Sequence, residues 1–583
     1  MKKVVIRADS SLAIGSGHIV RCISLAKELR NLGWEVHFLT ILYKGNFNYL
    51  IEKQNFQLKE FLINKNDSQD RELNDARISK NYINKINPDL IVLDNYSLGK
   101  VWEKYIKSDT YTLAVIDDFI DRKHICDFLI NQNFFDNEKK IEKKFLRNSI
   151  QPLIGPKFSL IDSSYRDEKK ALKKKSNSVK TILLFFGGVD PDNVTSKVLR
   201  ALKDKNFDQY HFELVIGAEN PNKNEILEIF KEKQNLTIHH QLKSMAEVIA
   251  RSDIAICSGG SNTWERACLG LPSLVITLAK NQVSYSKKLN ELGYIEWLGD
   301  FRDIDEKVIR TKVLSFIKNS KKRLMMSKLS MGIVDGYGSK RVIETITNPK
   351  KESSELEKKL KKLSKSKLKI TILSDHNSWL NEEISKFVYR LNSNGQKVSW
   401  CHDKNEVNKS DVCFILSFTK IIPRETLSKS KNNLVVHESD LPKGKGMSPM
   451  TWQILDGKNN ITVTIFEASE KIDNGDIYFK RNLTLEGHEL INEWRKFQAK
   501  ITFEMCLDFL INYPEIIEEK KEQTGKETFF KKRNQNDSEL EKTKTLEELF
   551  PKLRVVDNEA YPAFFKMGKH KYTLKIERME LKK

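Results

Sequence analysis

The chain has 583 residues, 39% of them hydrophobic, and a formal charge of +21 from 100 lysines and arginines against 79 acidic residues. That length predicts three or four domains with ample material for several packed cores. The lysines are scattered, with short clusters at 173–175 and between Lys358 and Lys369, and no basic stripe interleaves with aromatics, so the charge reads as a cationic surface in preference to a nucleic-acid groove, and no nucleic-acid partner is expected. The 7 cysteines stand far apart without CxxC or zinc spacing, which argues against a metal site and fits free thiols in a reducing cytoplasm. The apolar run at the N-terminus is too short for a signal peptide and no 18-residue apolar window exists, so a cytoplasmic location without membrane insertion is expected.

Short apolar runs alternate with helical patterns. Residues 2–8 predict a strand, Ile19 to Arg30 a helix closed near Gly33, and 34–40, 89–96, 112–118 and 127–133 further strands. A second series runs through 181–188, 211–218, 236–241, 254–260 and 272–279. This alternation predicts two α/β domains in tandem, each Rossmann-like, with strand ends and helix N-termini lining a cleft between them. Residues 348–368 are polar and lysine-rich and read as a linker. A third α/β series follows: 369–375, a helix from about Glu382 to Leu391, 397–403, 411–418, 433–439 and a long helix near 488–512. The alternating stretch 554–578 predicts a small β-rich module. The expected boundaries are 1–165, 166–347, 348–368, 369–515 and 516–583.

Two glycine turns carry the chemistry of the first pair of domains. In "LAIGSGHIVRCISLAKEL" (12–29), Gly15 and Gly17 lead into His18 at the mouth of a helix. The helix field there attracts anions, and it is expected to lower the His18 pKa and leave a neutral imidazole able to take a proton from water. The plainer alternative is a histidine that caps or packs. In "SGGSNTWERACLGLP" (258–272), Ser258, Gly259, Gly260, Ser261 and Asn262 form a turn whose amides can cradle a diphosphate, and Glu265 stands within reach of ribose hydroxyls. The alternative is an ordinary tight βα turn. Together the turns predict a nucleotide sugar with its UDP on the second lobe and its sugar facing His18.

Residues 1–347 then show a resemblance. "IGSGHIVRCISLAKEL", "LDNY", "VIDDFIDRKHICDFLINQN", "LIGPKFSLI", "FFGGVDPDN" and "SGGSNTWERACLGLPSLVITLAKNQ" resemble the UDP-sugar hydrolases of pseudaminic acid biosynthesis. The resemblance implies a GT-B type fold, like that of MurG-type transferases. It implies release of UDP from a UDP-2,4-diamino-2,4,6-trideoxy-L-altrose derivative, with His18 as general base for a water attacking C1 with inversion and no metal. It places Gly15, Gly17 and Arg21 at the substrate, Tyr96 beside the sugar or packed in the cleft, Gly188 and Asp190 facing the cleft, and Asn281 and Gln282 on the sugar or in a polar turn. A glycosyltransferase with the same UDP clamp is the rival reading.

In the third domain, "VVHESDLPKGKGMSPMTWQILDG" (435–457) ends a strand at His437, and "KIDNGDIYF" (471–479) presents Asp473 and Asp476 around a turn. A histidine and a carboxylate on adjacent strand ends suit acid/base work. Both stretches resemble the folate-dependent formyltransferases over about 369–578. The resemblance implies 10-formyltetrahydrofolate as donor and His437 and Asp473 as catalytic residues. One position departs: Val435 stands where that family has an asparagine, and valine donates no hydrogen bond to a developing oxyanion. Asn433 is the nearest amide in the sequence. The expected function is bifunctional: N-formylation of a sugar 4-amine and hydrolysis of the UDP linkage, with a catalytically inactive third domain as the alternative.

Overall fold

The computed structural model describes all residues except 64–70, 120, 121, 136, 137, 147–149, 173–176, 218, 219, 230, 232–234, 241, 243, 348–358, 361, 364, 365, 559 and 579–583. The lysine cluster at 173–175 and most of the expected linker lie outside the described residues. The chain forms two compact units, Met1–Glu352 and Ser353–Lys583.

Unit 1 holds two sheets. The first comprises β1 (Lys3–Ala8), β2 (Glu35–Ile41), β3 (Gln57–Phe61), β4 (Leu90–Asp94), β5 (Thr112–Ile116), β6 (Phe128–Asn131) and β7 (Gln151–Ile154), in the order β3-β2-β1-β4-β5-β6-β7, all parallel. Its strands are apolar on both faces because helices cover both. Val4, Ile6 and Ala8 share a core with Ile19, Cys22 and Ala26 of the helix Gly17–Asn31, while Val5 packs on the opposite face with Leu39, Ile91 and Trp102. The second sheet comprises β8 (Thr181–Phe185), β9 (His211–Ile216), β10 (Leu236–His240), β11 (Ile254–Ser258), β12 (Ser273–Thr277) and β13 (Glu296–Asp300), in the order β10-β9-β8-β11-β12-β13, again parallel. The helix Gly338–Thr347 returns to the first lobe, where Val342, Ile343 and Ile346 enter its core.

Unit 2 holds β14 (Lys369–Leu373), β15 (Lys397–Cys401), β16 (Ser410–Ile415), β17 (Ser430–His437), the short β18 (Lys445–Gly446), β19 (Asn460–Glu467) and β20 (Ile477–Thr484). The main sheet runs β15-β14-β16-β17-β19-β20; β17, β19 and β20 pair antiparallel and the rest parallel. The sequence expected the α/β architecture of all three sheets, but the edge strands β3, β7 and β13 and the pair β19 and β20 were not anticipated. The long helix Ile491–Ile511 follows, then β21 (Phe529–Phe530), which pairs with β18, and the hairpin β22 (Ala563–Met567) and β23 (His570–Leu574). Among the described residues no helix is long and apolar enough to cross a membrane, and no group of three or more His, Cys, Asp or Glu is arranged to hold a metal ion.

In each main sheet strand order reverses between two neighbours: β1 and β4, β8 and β11, β14 and β16. The crevice beyond the carboxyl ends of such a pair is where open α/β sheets bind ligands. The GSGH turn follows β1, the GGVD loop follows β8 and the SGGSN turn follows β11.

Candidate active sites

Asp94 is the last residue of β4, in register with Ala8 at the end of β1. Its fully buried carboxylate lies 2.7 Å from His18 Nδ1, whose other neighbour is the Asp94 carbonyl at 3.1 Å. Arg21, one turn along the helix from His18, donates from Nε and Nη2 to both Asp94 oxygens at 2.6 Å and from Nη1 to Asp118 at 2.9 Å. Tyr96 donates its hydroxyl to Asp118 and sets its ring edge-on to His18, centroids 4.5 Å apart. Donation from Nδ1–H to Asp94 fixes the tautomer and leaves Nε2 as the acceptor. Among the described residues Nε2 has no hydrogen-bond partner, and it is not sealed from solvent.

Two expectations change here. The helix field was expected to lower the His18 pKa. Burial does act that way, but the Asp94 carboxylate at 2.7 Å outweighs it, and the pKa stands above its ordinary 6.5. The residue is also only 8% exposed. Arg21 was expected to touch substrate; its guanidinium is spent on two carboxylates and orients the dyad. The Arg21 charge drives Asp94 far below the usual carboxylate range in spite of burial.

The turns converge on this dyad. Gly15 takes φ 81°, a left-handed conformation that glycine adopts without strain. A Cβ on Gly17 would lie 3.7 Å from Ser261 Oγ, and one on Gly188 would crowd Ser16 Oγ at 3.1 Å, so both turns of the second lobe approach the GSGH turn closely. Asp190 does not face this space: its carboxylate accepts from the amides of Val194 (3.0 Å) and Thr195 (2.9 Å) and caps the helix Val194–Ala201. Gln282 packs against Gly259 and Gly260 and accepts from the Leu278 amide at 3.0 Å; it sits on the helix Lys280–Glu291, not in a turn. The side chain of Asn281 lies outside the described residues. Ser258 is buried at the end of β11, and Asn262 bonds Arg266. Glu265 meets the Tyr165 hydroxyl, and burial pushes its carboxyl up to about 7.

Two carboxylates were missed. Asp94 was legible as a charge ending a buried strand. Asp118 was not distinguished from its neighbour Asp117; the fold alone turns it to Arg21 and Tyr96, with Oδ1 buried and without a partner among the described residues. Asp117 instead serves His124, whose ring sits between it (3.2 Å) and Glu103 (2.7 Å). Those carboxylates, overcoming burial, raise His124 to about 9.

In unit 2, His437 ends β17 and is buried. Its Nε2–H donates to the Gly444 carbonyl at 2.9 Å, and Asp473 Oδ2 stands 3.8 Å from the same nitrogen. Asp473, at φ 48°, accepts from the Gly446 amide at 2.8 Å. Buried Lys445 holds Asn474 and Glu527, each at 2.6 Å, and Gln523 donates to the carbonyls of Asp473 and Gly475. The two predicted residues therefore meet on loops stitched to one another, while Asp476 pairs with Lys520 at 3.2 Å.

A cavity of about 360 Å³ opens beside them, with Trp379, Phe418, Ile421 and Ile422 in its walls and Val435, His437 and Asp473 among its lining. Val435 is paired between Ile415 and Phe466. Asn433 is no substitute: its amide donates to the Leu427 carbonyl at 2.9 Å, and it does not line the cavity. Missed by the sequence reading were Glu438 and Gln498, which line it and bond one another at 2.6 Å.

Two family models match the chain: the glycosyltransferase family 28 C-terminal domain over residues 181–340 and formyl transferase over residues 312–496. Their shared residues, 312–340, fold within unit 1, and the first strand of unit 2 begins at Lys369. An uncharacterized protein of Methanocaldococcus jannaschii is 27% identical over 312 residues, covering 50% of this chain and 59% of that protein. The UDP-2,4-diacetamido-2,4,6-trideoxy-beta-L-altropyranose hydrolase of Campylobacter jejuni is 24% identical over 294 residues, 50% of this chain and 97% of that one. A methionyl-tRNA formyltransferase of Caldicellulosiruptor saccharolyticus is 26% identical over 174 residues, 30% of this chain and 55% of that one. Among solved structures, a Clostridium thermocellum methionyl-tRNA formyltransferase aligns at TM-score 0.32 and 26% identity, covering 36% of this chain and 94% of that one. Acinetobacter baumannii MurG aligns at 0.45 and 14%, covering 60% and 99%. The chain is a fusion of a segment similar to sugar-nucleotide enzymes with a segment similar to formyltransferases.

Proposed function

We propose that the chain is a bifunctional nucleotide-sugar enzyme of the cytoplasm. Unit 1 hydrolyses the UDP linkage of a UDP-2,4-diamino-2,4,6-trideoxy-L-altrose derivative, and unit 2 formylates the sugar 4-amine, toward a pseudaminic-acid-type nonulosonic acid. What carries the reading is the unpartnered Nε2 of His18, poised by Asp94 beneath three converging glycine turns. In this reading Nε2 takes a proton from water, which attacks C1 as the C1–O bond to UDP breaks with inversion. The amides of Gly259 to Asn262 hold the diphosphate, Glu265 the ribose, and Tyr96 and Gln282 border the sugar. UDP leaves readily, so positioning the water and stabilising charge on the departing oxygen are the main tasks.

The unit 2 cavity suits a folate-type formyl donor: Trp379, Phe418, Ile421 and Ile422 offer apolar surface to a bicyclic ring, and His437 and Asp473 belong to the same lining. Bound there, 10-formyltetrahydrofolate supplies an activated formyl carbon. His437 and Asp473 move the proton that the attacking amine gives up. The similarity to formyltransferases supports this reading. Val435 favours a second one, in which unit 2 only binds the sugar nucleotide.

Mass spectrometry of products from UDP-4-amino sugars, with and without the donor, tests both halves. UDP release together with a formyl-sized mass gain is expected; UDP release without the gain supports the binding module, and neither overturns the proposal.

A further inference from the structure

The valine at position 435 leaves a specific chemical gap. In formyl transfer the amine lone pair bonds to the formyl carbon, and the carbonyl electron pair moves onto oxygen. That pair returns as the carbon–nitrogen bond to the folate breaks, and the amine proton passes to the released folate nitrogen. The negative charge on the formyl oxygen needs a donor aimed at it from a water-poor wall. Val435 occupies the wall and offers none, and the Asn433 amide is turned away to Leu427.

Among the described residues lining the cavity, Gln498 carries the only carboxamide. It projects from the helix Ile491–Ile511, which no feature of the sequence connects with β17. Its Nε2 spends one hydrogen on Glu438 Oε1 at 2.6 Å, and the second has no partner among the described residues. Glu438 follows His437 directly, and its backbone carbonyl accepts from Gln453 at 2.5 Å, which fixes the main chain that carries the carboxylate. Thr502, one turn further, also lines the cavity and donates to the Gln498 carbonyl. A carboxamide with one N–H fixed by a carboxylate has the other in a set direction.

We infer that Gln498 supplies the oxyanion donor that Val435 removes, with Glu438 as the positioning residue that aims it. The inference rests on unit 2 being a formyltransferase. It makes the site a rearranged one: the donor has moved from the strand bearing the histidine to the helix that covers it.

The test uses the full chain and a stable formyl-bearing folate, 10-formyl-5,8-dideazafolate, beside its formyl-free counterpart. Isothermal titration gives both affinities, and infrared spectroscopy gives the bound formyl C=O stretch. In the native protein the stretch is expected at lower frequency than in water-free solvent, and the formyl ligand is expected to bind tighter. Gln498→Met, close in shape, should return the stretch toward its unbonded frequency and erase the affinity difference, while leaving the formyl-free ligand bound as before. Turnover should fall about 10²–10³-fold, more than the loss of formyl-ligand affinity. Val435→Asn in the Gln498→Met background should restore the frequency shift and part of the turnover, and Glu438→Gln should keep more of both than Glu438→Ala. An unchanged stretch and kcat in Gln498→Met, or a loss that Val435→Asn leaves unrepaired, overturns the inference. Should the native chain bind neither folate, the formyltransferase reading itself falls instead.

Discussion

The two candidate sites each bring a histidine to a carboxylate, and they do it by opposite means. In unit 1 the pair is direct: Nδ1 lies 2.7 Å from Asp94, and Arg21 clamps that carboxylate on both oxygens. In unit 2 the His437 ring bonds a backbone carbonyl, and Asp473, 3.8 Å off, is held by the Gly446 amide. A dyad built on a buried carboxylate has its tautomer and proton affinity set by charge. One built on backbone groups is set by loop geometry. Water activation calls for the first arrangement, a strong fixed base; proton exchange between two nitrogens suits the second, where the groups need only relay.

The sharpest way to break this contrast is in unit 1. His18→Gln should abolish UDP release, by about 10⁴-fold, with UDP binding measured calorimetrically unchanged. Asp94→Asn should approach that loss, since the amide favours the wrong tautomer. It should also lower thermal stability, because breaking one side of a buried pair costs about 3–5 kcal/mol; differential scanning calorimetry reads this, and an Asp94→Asn protein of native activity would dissolve the dyad. Asp473→Asn in unit 2 should cost less, about 10²-fold in formyl transfer, and should leave stability nearly unaltered because the Gly446 amide bonds a carboxamide oxygen as well.

A pH profile separates the sites further. His18 must be neutral to act, and Asp94 raises its pKa above 6.5. UDP release should therefore decline as pH falls through a value above 6.5, and Asp94→Asn should move that inflection downward. An inflection well below 6.5 in the native chain would contradict the assigned base. The smallest effect is expected for Tyr96→Phe: the ring stays against His18 while Asp118 loses one donor, a change of about 1.5–3 kcal/mol for a hydrogen bond to a charged group, read as an upper limit in kcat/KM.

The glycine turns and the histidines were readable because their chemistry is local. A glycine before a helix and a histidine at a strand end keep their meaning wherever the strands pack. Arg21 and Asp190 were readable as polar groups near the turns, but not as spent ones. Their partners lie 73 residues away in one case and four or five in the other, and only coordinates show which bond each side chain chose. Asp118 and Gln498 carried no signal: one is half of an Asp-Asp pair, the other a polar residue on a long helix.

The sequence by itself determined the central strands and the helix that follows the first turn, the α/β class and the turns that end at ligand crevices, because apolar runs flanked by glycine and amphipathic periods act over a few residues. Tertiary structure alone decided which carboxylate meets which imidazole, the sign of the shift at His18, and what lines the cavity beside Val435. Those depend on burial and on charges brought within about 3 Å across long stretches of chain, where Coulomb energy climbs steeply as water is excluded.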